Sequence, residues 1–352
     1  MSTTRRAVFR SFGRPSEVIE LEEIPRQPLA PGEARVAVLA APINPADELL
    51  ISGRHAFRPP LPATVGIEGA GDVIEVAPGV TGVAPGDRVV LPPWGTWSSE
   101  VVCPADQLYP MPPGIDPAQA AMLSVNAVTA RCLVGLLPGA EPGDWVLQNA
   151  ASSAVGHLVV RLARRAGLRT INVVRSAAAE ASLREAGADV VLVGDEELGR
   201  RAREATGDAP IRLALDAVAG EASGRLASAL APGGTLVVYG LLSSDVVVLP
   251  AAAIVFERVL VRGFGRLSAL AAMGQERARA LHRELGEMVL RNEISSRVEA
   301  HYPLDQIRQA LVHAERGGRQ GKILLKPWSG PESPHVSDER LQDLQPRVSR
   351  RG

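Results

Sequence analysis

From about Asn126 to Ile294 the chain alternates short apolar runs with amphipathic stretches, and this alternation constrains the fold more than any other feature. The runs are WVLQN, TINVV, DVVLV, RLALD, TLVVYG and RVLVRGFG. Apolar strands separated by segments at helical spacing point to βαβ units around a parallel sheet. The architecture expected for this part is α/β, with a doubly wound sheet.

The first part is punctuated differently. Residues 1 to about 120 carry short β-patterned runs, EVIELEEI, EARVAVLAA, GAGDVIEVA and DRVVLPP, broken by Pro-Gly, Pro-Gly-Asp and Asn-Pro turns. That spacing predicts a compact, mostly β domain. Near the end, HYPLDQIRQALVHAERGGRQGKILLKP reads as a strand, a helix and a last strand returning to it. At 352 residues the chain is long enough for two domains. The expected boundaries are 1–125 with 295–328 returning to it, 126–294, and a polar, Pro-containing disordered tail over 329–352.

Charge and composition exclude several classes of function. With 38 basic and 39 acidic residues the formal net charge is −1, so no field draws the chain to nucleic acid or to an anionic membrane. A small, neutral or weakly charged partner is expected. Two cysteines, Cys103 and Cys132, supply neither a disulfide framework nor a four-thiolate zinc site, which fits a reducing, cytoplasmic setting. No apolar run approaches the ~20 residues needed to cross a bilayer, and MSTTRRAVFRSFGRPSEV lacks the apolar core of a signal peptide. Only Lys322 and Lys326 are lysines, while arginine and alanine abound, a bias expected of GC-rich bacterial coding.

The run WVLQN leads into QNAASSAVG (148–156), where a glycine-rich phosphate turn would stand. Beyond it Val155, Leu158, Val159, Leu162, Ala163 and Ala166 fall on one stripe of a helix. Aligning the dinucleotide fingerprint on Gly156 puts Ala151, Ser153 and Gly156 at its three glycine positions, and keeps the glycine that lets helix and strand pack closely. Phosphate would then be held by backbone N–H groups, the helix N-terminus and the Ser152 and Ser153 hydroxyls. An ordinary strand-to-helix turn accounts for the small residues equally well. The end of the second strand discriminates further: Arg175 stands nineteen residues after Gly156, where an acidic residue would bond the ribose of NAD and an arginine suits the 2′-phosphate of NADP. The alternative is a solvated surface arginine.

With these features assembled, the chain resembles the medium-chain dehydrogenase/reductase superfamily, and within it the zinc-independent 2-enoyl thioester (trans-2-enoyl-CoA/ACP) reductases. The resemblance rests on INPAD (43–47), GIEGAGDVIEV (66–76), PGDRVV (85–90), GTWSSEVV (95–102), NAVTA (126–130), QNAASSAVG (148–156), LRTINVVR (168–175), GGTLVVYG (233–240), VRGF (261–264) and GKILL (321–325). It implies a Rossmann-type doubly wound parallel sheet plus a GroES-like, mostly β catalytic domain. It also implies NADPH as cofactor and no metal, since NPAD and Gly66-Ile67-Glu68 stand where zinc members carry a cysteine and a histidine. By position, NADPH contacts would fall on Asn126, Thr129, Ser152, Ser153, Ala154, Val155, Arg175, Ser176, Ala177, Tyr239, Gly240, Phe264, Gly265 and Lys322, with Asn44 and Thr129 near the nicotinamide. Each has a structural alternative: Asn126 as a helix cap, Tyr239 as a core tyrosine, Lys322 as a surface cation. RVLVRGFG would be the edge strand through which such chains form a homodimer.

Two positions depart from the resemblance. His55, in ISGRHAF, stands where the enoyl reductases carry a proton-donating tyrosine, and Gly265 where they carry a tryptophan. Histidine can supply the proton; a loop residue that has lost the role is the alternative. The small Gly265 opens space for a substrate wider than a linear acyl thioester. The activity expected is NADPH-dependent reduction of the C=C bond of an α,β-unsaturated carbonyl compound or thioester, with His55 and Asn44 as catalytic candidates. Two alternatives stand beside it. One is a quinone or enone oxidoreductase of the same superfamily; a thioester carrier would instead call on basic residues such as Arg54 and Arg58. The other is a non-catalytic NADPH-binding member.

Overall fold

In a computed structural model of the protein, residues 3–137 and 139–330 are described, and the chain divides into two compact units. The first takes residues 3–121, His301–His313 and 324–330; the second takes Met122–Ala300 and Ala314–Ile323. From residue 331 onward the expected tail lies outside the described residues.

The first unit is built on strands β1 (Thr3–Phe9), β2 (Ile19–Pro25), β3 (Glu33–Pro42), β4 (Ala63–Thr64), β5 (Ala70–Val76), β6 (Arg88–Val90), β7 (Glu100–Pro104) and β8 (Tyr109–Pro110). β1 lies antiparallel between β2 and β4. β3 is the centre of the larger sheet, and eight of its ten residues are buried because neighbours cover both faces. Gly71 of β5 crosses it so closely that a Cβ would come within 1.9 Å of the Ala37 carbonyl oxygen, which excludes any side chain there.

The second unit carries β9 (Trp145–Gln148), β10 (Arg169–Val174), β11 (Val190–Val193), β12 (Ile211–Asp216), β13 (Thr235–Val238) and β14 (Leu260–Gly263). All neighbours are parallel, in the order β11-β10-β9-β12-β13-β14. The six runs picked out by apolar patterning are these strands. Successive strands step outward from β9 in one direction, then the chain returns to β9 and steps the other way. The order therefore reverses between β9 and β12, and the loops leaving their C-terminal ends diverge to open a crevice. Leu147, Ile171 and Leu236 are fully buried in the core beneath the sheet, each contributing about 1.5–3 kcal/mol of burial.

The last strands, β15 (Val298–Pro303) and β16 (Lys322–Lys326), complete the larger sheet in the order β15-β16-β3-β5-β6-β8, with β7 also paired to β3. β16 meets β3 through Leu324↔Pro42 and Leu325↔Ala41.

Candidate functional site

In the second unit the turn after β9 bends at Ala150 (φ 46°), and Ser153 caps the helix Ala154–Arg165 by accepting from the Gly156 N–H at 3.1 Å. A Cβ on Gly156 would fall 2.3 Å from the Ala151 carbonyl oxygen, so the glycine is required by the approach of helix to turn. Among the described residues the Ala154 and Val155 N–H groups meet no acceptor, as the first turn of a helix dictates, and Ser152 is exposed beside them. Val155 and Ala166, expected on the buried stripe, lie half-buried and exposed at the two ends of the helix.

Arg175 emerges from the end of β10 exposed, and its guanidinium has no partner among the described residues. Ser176 accepts from the Ala178 N–H at 3.3 Å and caps the short turn Ala177–Ala179. After β13, the Tyr239 N–H donates to the Asp216 carbonyl at 2.8 Å, and a Cβ on Gly240 would fall 2.7 Å from the Ala217 oxygen. The Tyr239 hydroxyl is buried without a partner among the described residues; burial, reinforced by Asp216, pushes the phenol above its usual range. After β14, Phe264 is half-buried, while a Cβ on Gly265 would meet nothing nearer than the Ser268 hydroxyl at 3.7 Å. Thus Ser152, Ser153, Ala154 and Val155, then Arg175–Ala177, Tyr239–Gly240 and Phe264–Gly265 all gather at the C-terminal ends of parallel strands.

Asn126 and Thr129 belong to the same unit and are buried. Asn126 caps no helix: it lies inside a π-helical turn, Leu123–Ala127, that runs into the helix Val128–Val134. Such turns are rare and concentrate at functional sites. Lys322 opens β16; it is 8% exposed and its N–H donates to the Arg297 carbonyl.

Two residues that the sequence reading did not single out hold this end of the sheet together. Asn149 Nδ2 donates to Asp216 Oδ1 at 2.6 Å, and Asn149 Oδ1 accepts from the Ala217 N–H at 2.8 Å. Asp216 also accepts from the Val218 and Ala219 N–H groups and the Ser223 hydroxyl. The two strands that part at the order reversal are cross-tied at the point where they part.

Asn44 and His55 belong to the first unit. Asn44 caps the helix Pro45–Ile51, its N–H donating to Asp47 Oδ2 and its Nδ2 to Glu68 Oε1, both at 2.9 Å. Asp47 Oδ1 accepts from the Ile67 N–H and the Thr96 hydroxyl donates to the Glu68 carbonyl, so Asn44 sits in a buried polar cluster with one fixed orientation. His55 is half-buried on the loop after that helix. Its Nδ1 lies 3.0 Å from the Phe57 nitrogen and 3.3 Å from the Phe57 oxygen. Unprotonated, Nδ1 accepts from the one; protonated, it donates to the other. Nε2 has no partner among the described residues.

Among the described residues no group of three His, Cys, Asp or Glu side chains is placed to hold a metal ion. Neither thiol is activated: burial, with Glu33 and Asp106, pushes Cys103 up to about 12, and burial raises Cys132. No helix among the described residues is long and apolar enough to cross a membrane.

A family model described as zinc-binding dehydrogenase matches residues 154–292, and one described as alcohol dehydrogenase GroES-like domain matches residues 30–113. The chain is 34% identical over 317 residues to the mitochondrial enoyl-[acyl-carrier-protein] reductase of Bos taurus, covering 88% of this chain and 85% of that protein. With the Xenopus tropicalis protein of the same name it shares 35% over 325 residues, covering 88% and 92%. The structure of Escherichia coli quinone oxidoreductase complexed with NADPH matches with a TM-score of 0.83 at 28% identity, over 92% of this chain and 100% of that one. With its GroES-like β unit, its doubly wound parallel sheet and these relatives, the chain falls among the oxidoreductases. The chain belongs to the medium-chain dehydrogenase/reductase superfamily and is enoyl-reductase-like.

Proposed function

We propose that the protein is a metal-free, NADPH-dependent reductase of the C=C bond of α,β-unsaturated carbonyl compounds. The observation that carries the reading is Arg175: an exposed guanidinium, unpaired among the described residues, at the end of the second strand from the crevice, where the adenosine ribose is read. Its fork suits a 2′-phosphate and would leave NAD without a matching partner. The open Ala154 and Val155 amides and the Ser152 hydroxyl supply donors for a pyrophosphate at the helix N-terminus. The Tyr239 hydroxyl, unpaired among the described residues, is a further buried donor at the same strand ends. Ser153, spent on its own helix cap, acts by shaping the turn. Asn126, Thr129, Ser176, Ala177, Gly240, Phe264, Gly265 and Lys322 complete the proposed contact set.

When bound, NADPH supplies a hydride for the substrate β carbon. The chain then has to provide a proton for the α carbon and a fixed polar environment. His55 fits the first task, because the Phe57 main chain serves Nδ1 in either protonation state and leaves Nε2 to give up its proton. Asn44, held by Glu68 and Asp47, fits the second. The metal-free reading is supported by residue chemistry, since the NPAD segment (44–47) and Gly66-Ile67-Glu68 offer neither the cysteine nor the histidine that zinc members carry there.

A quinone or enone substrate is the second reading, favoured by the match to quinone oxidoreductase and by the open space at Gly265. A homodimer is part of the proposal, because β14 ends its sheet with all four residues exposed. Two free cysteines suit a cytoplasmic setting. The test is NADPH consumption against crotonyl-CoA, a longer enoyl-CoA, a quinone and a cyclic enone, with NADH in parallel. Turnover on the thioesters supports the enoyl reductase reading, and turnover on quinone or free enone alone supports the second. Tight NADPH binding with no turnover on any of them points to a non-catalytic member.

A further inference from the structure

The loop that carries His55 lies beside two aromatic rings, Phe57 and Trp94. Trp94 has φ 81°, a left-handed conformation that a bulky side chain rarely adopts, and Gly95 continues the turn at φ 85°. The result is that its indole lies 5.1 Å, ring centre to ring centre, from Phe57 and stands edge-on to His55 at 6.2 Å and 82°. Phe57 is nonetheless 47% exposed, in a chain with only 3% aromatic residues. Here one tryptophan is held in an unfavourable backbone conformation beside a phenylalanine left open to solvent, and its indole stands against His55, whose Nε2 has no partner among the described residues.

We propose that Phe57 and Trp94 form a recognition shelf for a planar ring, and that the preferred substrate is an α,β-unsaturated carbonyl compound conjugated to an aromatic ring, such as an aryl enone or a 3-arylacryloyl thioester. This rests on the reading that His55 faces the substrate. A flat π system gains directional stacking against exposed ring faces, whereas a linear acyl chain gains only in proportion to the apolar area it buries. A ring resting against Trp94 lies on the residue that His55 also meets, at 6.2 Å between ring centres. The same rings could instead simply brace the loop, and that role would leave substrate preference untouched.

The experiment compares NADPH oxidation with trans-cinnamoyl-CoA against crotonyl-CoA, and with 4-phenyl-3-buten-2-one against 3-penten-2-one, so that each aryl and alkyl pair shares a carrier. The expected kcat/KM favours the aryl member at least tenfold on whichever carrier is used. Trp94→Leu and Phe57→Leu should each cut that ratio at least fivefold, and Trp94→Phe should keep most of it. A wild-type ratio near one, or a ratio that Trp94→Leu and Trp94→Phe leave alike, overturns the shelf while leaving the reductase reading intact. If no compound is reduced, the reductase reading fails instead, and calorimetric titration of the two CoA thioesters into the NADPH-loaded protein decides about the shelf. Tighter binding of the cinnamoyl ligand that is lost in Trp94→Leu upholds it, and equal or absent binding of the two overturns it.

Discussion

Gln148 and Asn172 stand directly opposite one another on β9 and β10, both fully buried, with Gln148 Nε2 donating to Asn172 Oδ1 at 2.7 Å. Gln148 Nε2 also donates to the Gly156 carbonyl at 2.9 Å, and Asn172 Nδ2 donates to Thr170 Oγ1 and the Val190 carbonyl. The ladder ties the first turn of the phosphate-side helix to two strands. Gln148→Leu strands Asn172 Oδ1 in the core, a cost of about 1–3 kcal/mol for a buried group left without a donor, while the Gly156 carbonyl keeps its helical bond. Urea unfolding should show a loss in that range. Replacing both side chains by apolar ones should cost less than the sum of the single losses, because no orphan from the pair remains.

This ladder also marks the limit of what the sequence reveals. QNAASSAVG and LRTINVVR stood out as the most distinctive stretches, yet nothing in either says that Gln148 faces Asn172. Strand register has to be known first. The six parallel strands were legible because apolar periodicity is local, and Arg175 because its distance from Gly156 is a count along the chain. The tie between Asn149 and Asp216 spans 67 residues and exists only because β9 and β12 are neighbours. The π turn around Asn126 is a shift of one residue in hydrogen bonding, which leaves no mark on composition. For the same reason the left-handed Trp94 was invisible: a tryptophan beside a glycine gives no hint that both residues take the turn.

Arg175 has no hydrogen bond or ion pair among the described residues, so its removal isolates the cofactor. Arg175→Ala should leave the unfolding midpoint in place while raising the Kd for NADPH at least tenfold, a loss of about 1.4 kcal/mol. Binding of NADH should be unaffected. Titrations of both nucleotides check this, and equal weakening of the two would remove the case for a 2′-phosphate site.

His55 should matter to turnover and not to cofactor binding. His55→Ala is expected to lower kcat by about 100-fold or more, the usual scale for losing a positioned acid, with the Kd for NADPH unchanged. His55→Tyr, which restores a donor, should recover part of the rate and change its pH dependence. An identical rate and pH profile in both variants would show that another group delivers the proton.

The open edge at β14 predicts an assembly. Leu260 is 62% exposed, and the helix Ala251–Val255 nearby in sequence is followed by Phe256 at 76%. An apolar edge strand of this kind invites pairing with another chain. Light scattering at micromolar concentration should give twice the chain mass. Val261→Asp, which places a charge on that edge, should give the monomer.

His282 predicts how the fold responds to acid. The ring is fully buried on the helix Gln275–Leu290, with Nδ1 2.7 Å from the Ala278 carbonyl. Burial lowers its pKa to about 4, the Ala278 carbonyl opposes the shift, and Arg266 adds to it. In the unfolded chain a histidine titrates near 6.5. Since the folded pKa is the lower, the unfolded state binds the proton first, and stability falls as the pH drops below about 6.5. The stabilisation from a neutral His282 is complete above that value and lost by pH about 4, a change of about 3 kcal/mol across the window. His282→Gln cannot take up the proton, so its unfolding free energy should decline less steeply from pH 6.5 to 4 than that of the wild type, even where the substitution lowers stability at neutral pH. Parallel urea titrations at pH 7, 5.5 and 4.5 measure the two slopes, and matching slopes would assign the acid sensitivity to groups other than this ring.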